Sequence, residues 1–551
     1  MPIILVAALI SGCGQPSLDH AGKTVFRYND ASGILSLDPA FSKDQSHIWV
    51  CQQLYNGLVE LDSSLRVRPS IARSWTISDS GLTYTFTLRD DVYFYGKQLD
   101  RVVEKDGVFT RRVKASDVVF SLNRLTDPLL ASPGGWVLGA VKKGPNGRLD
   151  GVTAINDSTV QIRLSRPSPA FLSLLAMPYC SVVPEEVVKA YGADFRSHPC
   201  GTGPFMLAFW KEGVELVMHR NPNYFEVEAG SRLPYLDAIA VSFITDKQSA
   251  FLEFLQGRLD FISGLDASYK DELLTPDGRL QQRHQGKFEL QCGPYLNTEY
   301  LGILVDSDAA VNASSPLLDA DIRRALSLGF DRAGMMLYLR NNMGTPGIYG
   351  FVPPGLPSFL PDSSIGYSYD PQKARLLLRR AGHPEGKGLP EIVLSTTSSY
   401  LDLCEFIKSQ WEELGFRIHI DVNQAAVNRK LVAEQKLSFF RGSWIADYPD
   451  AENYLSLFYS PNFAPAGPNY TRFHNPVFDS LYVASALATD DSVRYAIYRS
   501  MDGLVMEQAP VIVLYYDKVV RLVAPSVTGL TPNAMNLLWL KRVRKSKDIG
   551  S

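Results

Sequence analysis

Histidine is scarce in this chain: eight in 551 residues, at positions 20, 47, 198, 219, 284, 383, 419 and 474, with no two within five residues. That spacing excludes the zinc sites built from a histidine pair on one helical turn. A Gly-x-Ser-x-Gly nucleophile turn is missing too. Gly382-His383-Pro384-Glu385-Gly386-Lys387-Gly388 falls one residue short of a phosphate loop and has Gly388 where a magnesium-holding Ser or Thr belongs, so it reads as a helix-ending loop. No catalytic residue, metal or other cofactor is expected. Basic blocks are absent apart from Lys541-Arg542-Val543-Arg544-Lys545, which reads as a solvated end, and the net charge is −3. Nucleic acid is therefore not an expected partner. No apolar run is long enough to span a bilayer, and no repeat or low-complexity tract occurs.

What is present is ordinary for a soluble globular protein: 45% hydrophobic and 21% charged residues, over a length that supports two or three lobes. The short apolar run Pro2 to Ile10 suits a signal-peptide core. It leads into Ile10-Ser11-Gly12-Cys13, which resembles a bacterial lipobox, so Cys13 is the expected lipidation site. Several acyl chains, at about 0.8 kcal/mol per buried CH₂, would then hold the protein to the membrane. Five other cysteines remain: Cys51, Cys180, Cys200, Cys292 and Cys404. An odd number leaves at least one unpaired. Cys180 and Cys200 are the best candidate pair, and partly buried free thiols are equally compatible with the sequence.

Coarse elements follow from periodicity. Thr24 to Tyr28 reads as a strand, then the chain turns through Asn29-Asp30-Ala31-Ser32-Gly33. Tyr84 to Arg89 alternates as a half-buried strand, and a helix beginning at Ser116 or Asp117 carries Val119, Leu122 and Leu125. Lys97 to Arg112 reads as a surface insertion. Met206–Trp210 and Val214–His219 form a strand pair. Asp370-Pro371 starts a helix with Ala374, Leu377, Leu378 and Ala381 on one face, stopped by Gly382. Ile392-Val393-Leu394, a helix with Leu403, Phe406, Ile407 and Leu414, and the strand Phe416 to Val422 then argue for a parallel pair with a helical crossover.

Arg441-Gly442-Ser443-Trp444-Ile445-Ala446-Asp447-Tyr448-Pro449-Asp450 is the stretch that suggests a site. Gly442 allows another backbone to approach. Trp444 and Tyr448 offer flat apolar walls with polar edges. Asp447 lies between them, and a carboxylate in such a setting requires a cation. The alternative is a structural Asp that caps the turn or helix after Pro449.

Taken in order, the motifs Leu37-Asp38-Pro39, Tyr55-Asn56-Gly57-Leu58-Val59, Ala72-Arg73-Ser74-Trp75, Ala115 to Ser121, Gly201-Thr202-Gly203-Pro204-Phe205, Arg220-Asn221-Pro222-Asn223-Tyr224, Gly257-Arg258-Leu259-Asp260, Ile322 to Leu326, Tyr369 to Ala374 and Trp444 to Asp450 resemble the oligopeptide/dipeptide-binding family (family 5) of extracytoplasmic solute-binding proteins of ABC importers. The resemblance implies an α/β, two-lobe periplasmic-binding-protein fold (type II, Venus flytrap) with an extra subdomain in the first lobe. It divides the chain into a lipoprotein signal (1–13), lobe I (20–48, 181–294 and 512–551), the subdomain (49–180) and lobe II (295–511), with strands crossing near Tyr295–Ile303 and Val511–Tyr516. In peptide-binding relatives the acid matching Asp447 holds the ligand α-ammonium. An extended peptide would pair its backbone near Gly442–Trp444 and Asn297–Tyr300. Ligand contacts are thus expected from Asp447, Trp444, Tyr448, Gly442, Ile445, Asn297 and Tyr300, with Asp30 from the first lobe. Dipeptide-selective relatives carry an Arg after the strand matching Ile392–Leu394. Here Ser395-Thr396-Thr397-Ser398-Ser399-Tyr400 has none, which argues against dipeptide selectivity. The implied function is a lipid-anchored monomeric receptor, on the periplasmic or cell-surface side of a bacterial membrane, that delivers peptides to ABC permease subunits. A non-peptide solute (nickel chelate, haem or sugar) is the alternative, and an adhesin or enzyme on this fold a lesser one.

Overall fold

A computed structural model describes residues 23–97, 99–103, 107–145, 147–266, 268–488 and 490–546. The signal segment 1–13 and Cys13 lie outside the described residues. One mixed sheet of eleven strands runs through the molecule. Its middle is a pair of long antiparallel strands, Glu289–Ile303 and Val511–Val523. Glu289–Pro294 pairs with Val523–Lys518, the register slips between Pro294 and Thr298, and pairing resumes from Thr298 with Tyr516. Pro294 has no N–H to give to a ladder, so an irregularity beside it is the expected consequence. This jog separates two lobes.

On the first side, Val25–Asn29 lies parallel to Ala238–Ser242 and touches Phe261–Ser263 through Tyr28, and the hairpin Phe205–Lys211 with Glu215–Arg220 completes that edge. A separate four-stranded antiparallel sheet, made by Ala72–Ser78, Thr83–Leu88, Thr159–Arg163 and Val152–Asn156, packs in the same hydrophobic core, which runs from Phe26 and Trp49 through Phe86 and Ile162. The helix expected there is Ala115–Arg124. It buries Val118, Ser121 and Leu122, and Asp117 sits inside the first turn accepting from Lys114 N–H at 2.8 Å. The insertion is only partly surface, since Phe109–Arg112 pairs with Tyr93–Gly96 and Phe109 is buried.

On the second side, Phe439–Ile445 pairs with the long strand Glu289–Ile303, and Ile392–Thr396 lies parallel to Ile418–Val422 with helix Leu401–Glu412 between them in sequence. Alternation along the strands feeds two cores. Leu301, Ile512 and Leu514 face one with Trp411 and Phe439; Tyr300, Val511 and Val513 face the other with Phe351 and Phe458. Helix Pro371–Arg380 shows why its sequence is helical. Asp370 accepts from Lys373 N–H at 2.9 Å, Pro371 occupies the first turn, Ala374, Leu377 and Leu378 are buried, and Gly382 at φ +86° ends the run.

Of the two readings left open for Cys180 and Cys200, the free thiols hold and not the disulfide. Each is fully enclosed in the first core, where burial pushes the Cys180 thiol up to about 12 and that of Cys200 well up. The basic tail is not a solvated end. Lys541 is buried with Nζ at 2.7 Å from Glu60 and 2.6 Å from Glu226, Lys545 reaches Asp260 at 2.9 Å, and the Arg544 guanidinium lies on the Tyr235 ring. The acids that receive it lie hundreds of positions away, beyond the reach of local charge patterning.

Candidate ligand-binding site

Strand Phe439–Ile445 carries the candidate stretch to the edge of the cleft, and the chain then turns through Ala446 to Asp450 into the short helix Glu452–Leu455. Asp450, not Asp447, serves that turn, accepting from Glu452 N–H at 2.9 Å. The capping alternative therefore assigns to the wrong acid. Asp447 is solvent-exposed. The surrounding protein raises its carboxyl above the usual range, and a hydrogen bond from Asn453 Nδ2 at 3.5 Å opposes the rise. No Lys, Arg or His among the described residues makes an ion pair with it.

Asn453, 4% exposed, organises this corner. Its Oδ1 accepts from the Trp444 indole at 2.8 Å and from Asp447 N–H at 3.4 Å, while its amide faces the Asp447 carboxylate. Sequence reading missed it, since nothing in a lone Asn after a turn marks such a role. Tyr448 is buried. Its hydroxyl donates to Glu452, which also receives Tyr482, and its ring lies 6.3 Å from Trp136 of the first lobe. Ile445 is half-exposed beside these groups.

The central strand is largely enclosed. Asn297 stands opposite Ile445 and Tyr300 opposite Gly442, and the same strand is paired to Val511–Val523 on its other side. Both side chains are buried; Tyr300 is paired on both edges, whereas Asn297 falls in the slip between Pro294 and Thr298 and is paired on the Phe439–Ile445 side. Gly442 makes room for the Tyr300 ring. A Cβ at 442 would come within 2.7 Å of it. Among the described residues, the far side of Phe439–Ile445 pairs with Ile392–Thr396 only at Phe440, which leaves the backbone beyond it unpaired.

No cation follows Ile392–Leu394, and nearby Arg441 is already engaged. Arg441 pairs with buried Glu299 and its guanidinium lies 3.3 Å from the Tyr400 ring centre. Across the cleft, Tyr179 was also not foreseen. Its ring occupies space that a Cβ at Gly134 would take, and its hydroxyl has no hydrogen-bond partner among the described residues. Burial, then the charges of Asp447 and Asp44, push that phenol up to about 12. Asp30 lies in the first lobe, 8% exposed, with Oδ1 accepting from Ser32 N–H at 2.9 Å.

The sequence model of the bacterial extracellular solute-binding proteins, family 5, matches residues 66–465. This chain belongs to that family. Family 5 proteins are extracytoplasmic receptors that work with ABC permeases. Among characterised relatives, haem-binding protein A of Haemophilus influenzae is 28% identical over 533 residues, covering 94% of this chain and 91% of its own. The glutathione-binding protein GsiB of Salmonella typhi is 26% identical over 504 residues, with 90% of each chain covered. The fold matches solved family 5 structures: HbpA2 from Haemophilus parasuis (TM-score 0.81, 23% identity, 95% of this chain and 100% of that one) and DppA from Helicobacter pylori in complex with the peptide STSA (0.73, 22%, 96% and 100%).

Proposed function

We propose that this chain is the lipid-anchored receptor of an ABC importer and captures peptides by their free N-terminus between its lobes. One observation carries the reading: Asp447 presents an unpaired, solvent-reachable carboxylate on a wall held by Trp444 and Asn453, which is what an α-ammonium requires. In this reading Ile445 and Tyr448 border the ligand, and the free backbone edge from Arg441 to Ile445 receives an extended chain. This reading keeps Trp444, Gly442 and Asp447 as ligand residues. Lobe I comprises 20–48, 181–294 and 512–551, the subdomain 49–180, and lobe II 295–511. Cys13 carries the lipid, the monomer is the working unit, and the protein itself performs no chemistry on its cargo. The relatives' haem and glutathione are less suited here. Haem carries propionates and glutathione more carboxylate than ammonium, and the cleft offers Asp447 while Arg441 is already paired.

Native mass spectrometry of the protein as purified from cells, followed by identification of the released ligand, tests this. A ladder of peptides is the expected result. A single non-peptide mass would overturn it and strip Asp447 of its ammonium role.

A further inference from the structure

Beside the crossing strands, a turn of the second lobe enters the first. Helix Arg332–Arg340 ends in Asn341 and Asn342, both left-handed at φ +47° and +55°, a conformation that Asn tolerates among non-glycine residues. The turn they make carries Met343 out of its own lobe, where it packs against the first-lobe cluster of Phe251, Leu273 and Leu522. Asn341 is 9% exposed. Its Oδ1 accepts from Lys270 Nζ at 2.9 Å, and its Nδ2 donates to the Thr275 carbonyl at 3.4 Å. Gly278 closes over the turn at φ +81°, and a Cβ there would lie 2.6 Å from both the Asn341 carbonyl oxygen and Met343 Cε. Only glycine combines that backbone with so close an approach.

The seat of this turn lies at the hinge. On the outer edge of Val511–Val523, Thr345–Pro346 pairs with Tyr516–Tyr515 from the second lobe, and Phe261–Ser263 pairs with Val523–Arg521 from the first. The turn spans the interval between these two ladders, where Lys518 Nζ donates to the Asn342 carbonyl at 3.3 Å. Lys518 also stands opposite Pro294, at the register slip that separates the lobes. A rotation displaces points near its axis least, so an opening that parts Trp136 from Tyr448 at the mouth moves the seat little. We infer that Asn341–Met343 is a third hinge element, a pivot that stays seated in the first lobe as the cleft opens. Two strands side by side permit twisting as well as opening, and a third contact beside them removes the twist. Contacts kept in both states do not bias their ratio, so the pivot guides the motion while the latch lies at the mouth.

Maleimide labelling of the ligand-free full chain carrying Met343→Cys tests this, with the native exposed Cys292 as internal rate reference. The thiol introduced at position 343 is expected to label about 10-fold or more slowly than Cys292. Adding Trp136→Glu, which sets a carboxylate beside Tyr448 and Glu452 to open the mouth, should leave that ratio unchanged. A ratio near one in Met343→Cys alone shows that no seat forms in solution, and a ratio that falls towards one on adding Trp136→Glu shows a latch. Either result overturns the inference. Gly278→Ala gives a readout independent of the thiol. Its Cβ wedges the seat apart, and small-angle scattering of the ligand-free variant should give a larger radius of gyration than wild type. An unchanged radius overturns the pivot as well. No ligand enters either experiment, so the outcome stands apart from the peptide reading.

Discussion

Asp447 is distinguished from the other acids nearby by what it does not do. Asp450 serves the helix turn and Glu452 receives two tyrosine hydroxyls, whereas among the described residues the Asp447 carboxylate has only the distant amide of Asn453. Asp447→Asn is expected to weaken peptides with a free N-terminus by roughly 2–5 kcal/mol, the range for losing one partner of a desolvated charge pair. N-acetylated peptides should not distinguish the variant from wild type, and calorimetry with both forms checks this. Binding requires the ionised acid, whose carboxyl is raised. Affinity is thus full at neutral pH and falls on acidification sooner than for an ordinary aspartate of about 3.9. Asp502 gives a stability counterpart. It is buried, accepts from Phe351 N–H at 2.7 Å and Val352 N–H at 3.3 Å, and burial pushes its carboxyl from 3.8 up to about 6. The folded state holds this proton more tightly than the unfolded chain. The stability that the neutral acid contributes is therefore present below pH 4 and lost as pH rises to about 6, in total about 3 kcal/mol. Asp502→Asn should remove that loss, which denaturation at pH 4 and pH 7 would reveal as a gap between variant and wild type at pH 7 only.

Among the elements, the strand Phe439–Ile445 joins the site to the core. Its inner edge is held by the central strand and its outer edge is largely free. Gly442→Ala would drive a methyl into the buried Tyr300 ring at 2.7 Å, a cost of about 1–3 kcal/mol that thermal or chemical denaturation would record. This is also where the limits of the sequence lie. Helix Pro371–Arg380 and the parallel pair Ile392–Thr396 with Ile418–Val422 were readable because their signals are local: a capping Asp, a first-turn Pro, a period of 3.6 or 2. Asp447 stood out for a similar reason, as an acid flanked by aromatics. The enclosure of Tyr300 was not legible because an alternating strand looks the same whether its edges are open or, as at Tyr300, both paired. Asn453, Tyr179 and the seat of Lys541 depend on partners brought together only by the fold.

At the scale of the whole molecule, the lobes meet not only through the crossing strands but at Trp136 and Tyr448, whose rings lie 6.3 Å apart. The two sides of this contact are unlike. Tyr448 is fixed from within its own lobe by Glu452, whereas Trp136 is 47% exposed and belongs to the segment that reaches over from the first lobe. Arg166 of that same segment exerts its charge on Glu452, lowering the carboxyl that burial has raised. Tyr448 is buried in the first core, so the contact exists only while the lobes are together and biases closure. An aromatic pair of this kind contributes about 0.5–1.5 kcal/mol, so its removal shifts the open–closed ratio roughly 2- to 10-fold. Trp136→Ala should accordingly weaken peptide binding by that factor, since the ligand must then supply the missing closing free energy. The melting temperature should change little, because the half-exposed ring leaves no sealed cavity behind. Small-angle scattering of the ligand-free variant should give a larger radius of gyration than wild type, and saturating peptide should bring the two together. A variant with wild-type radius and wild-type affinity would show that closure is set by the crossing strands alone.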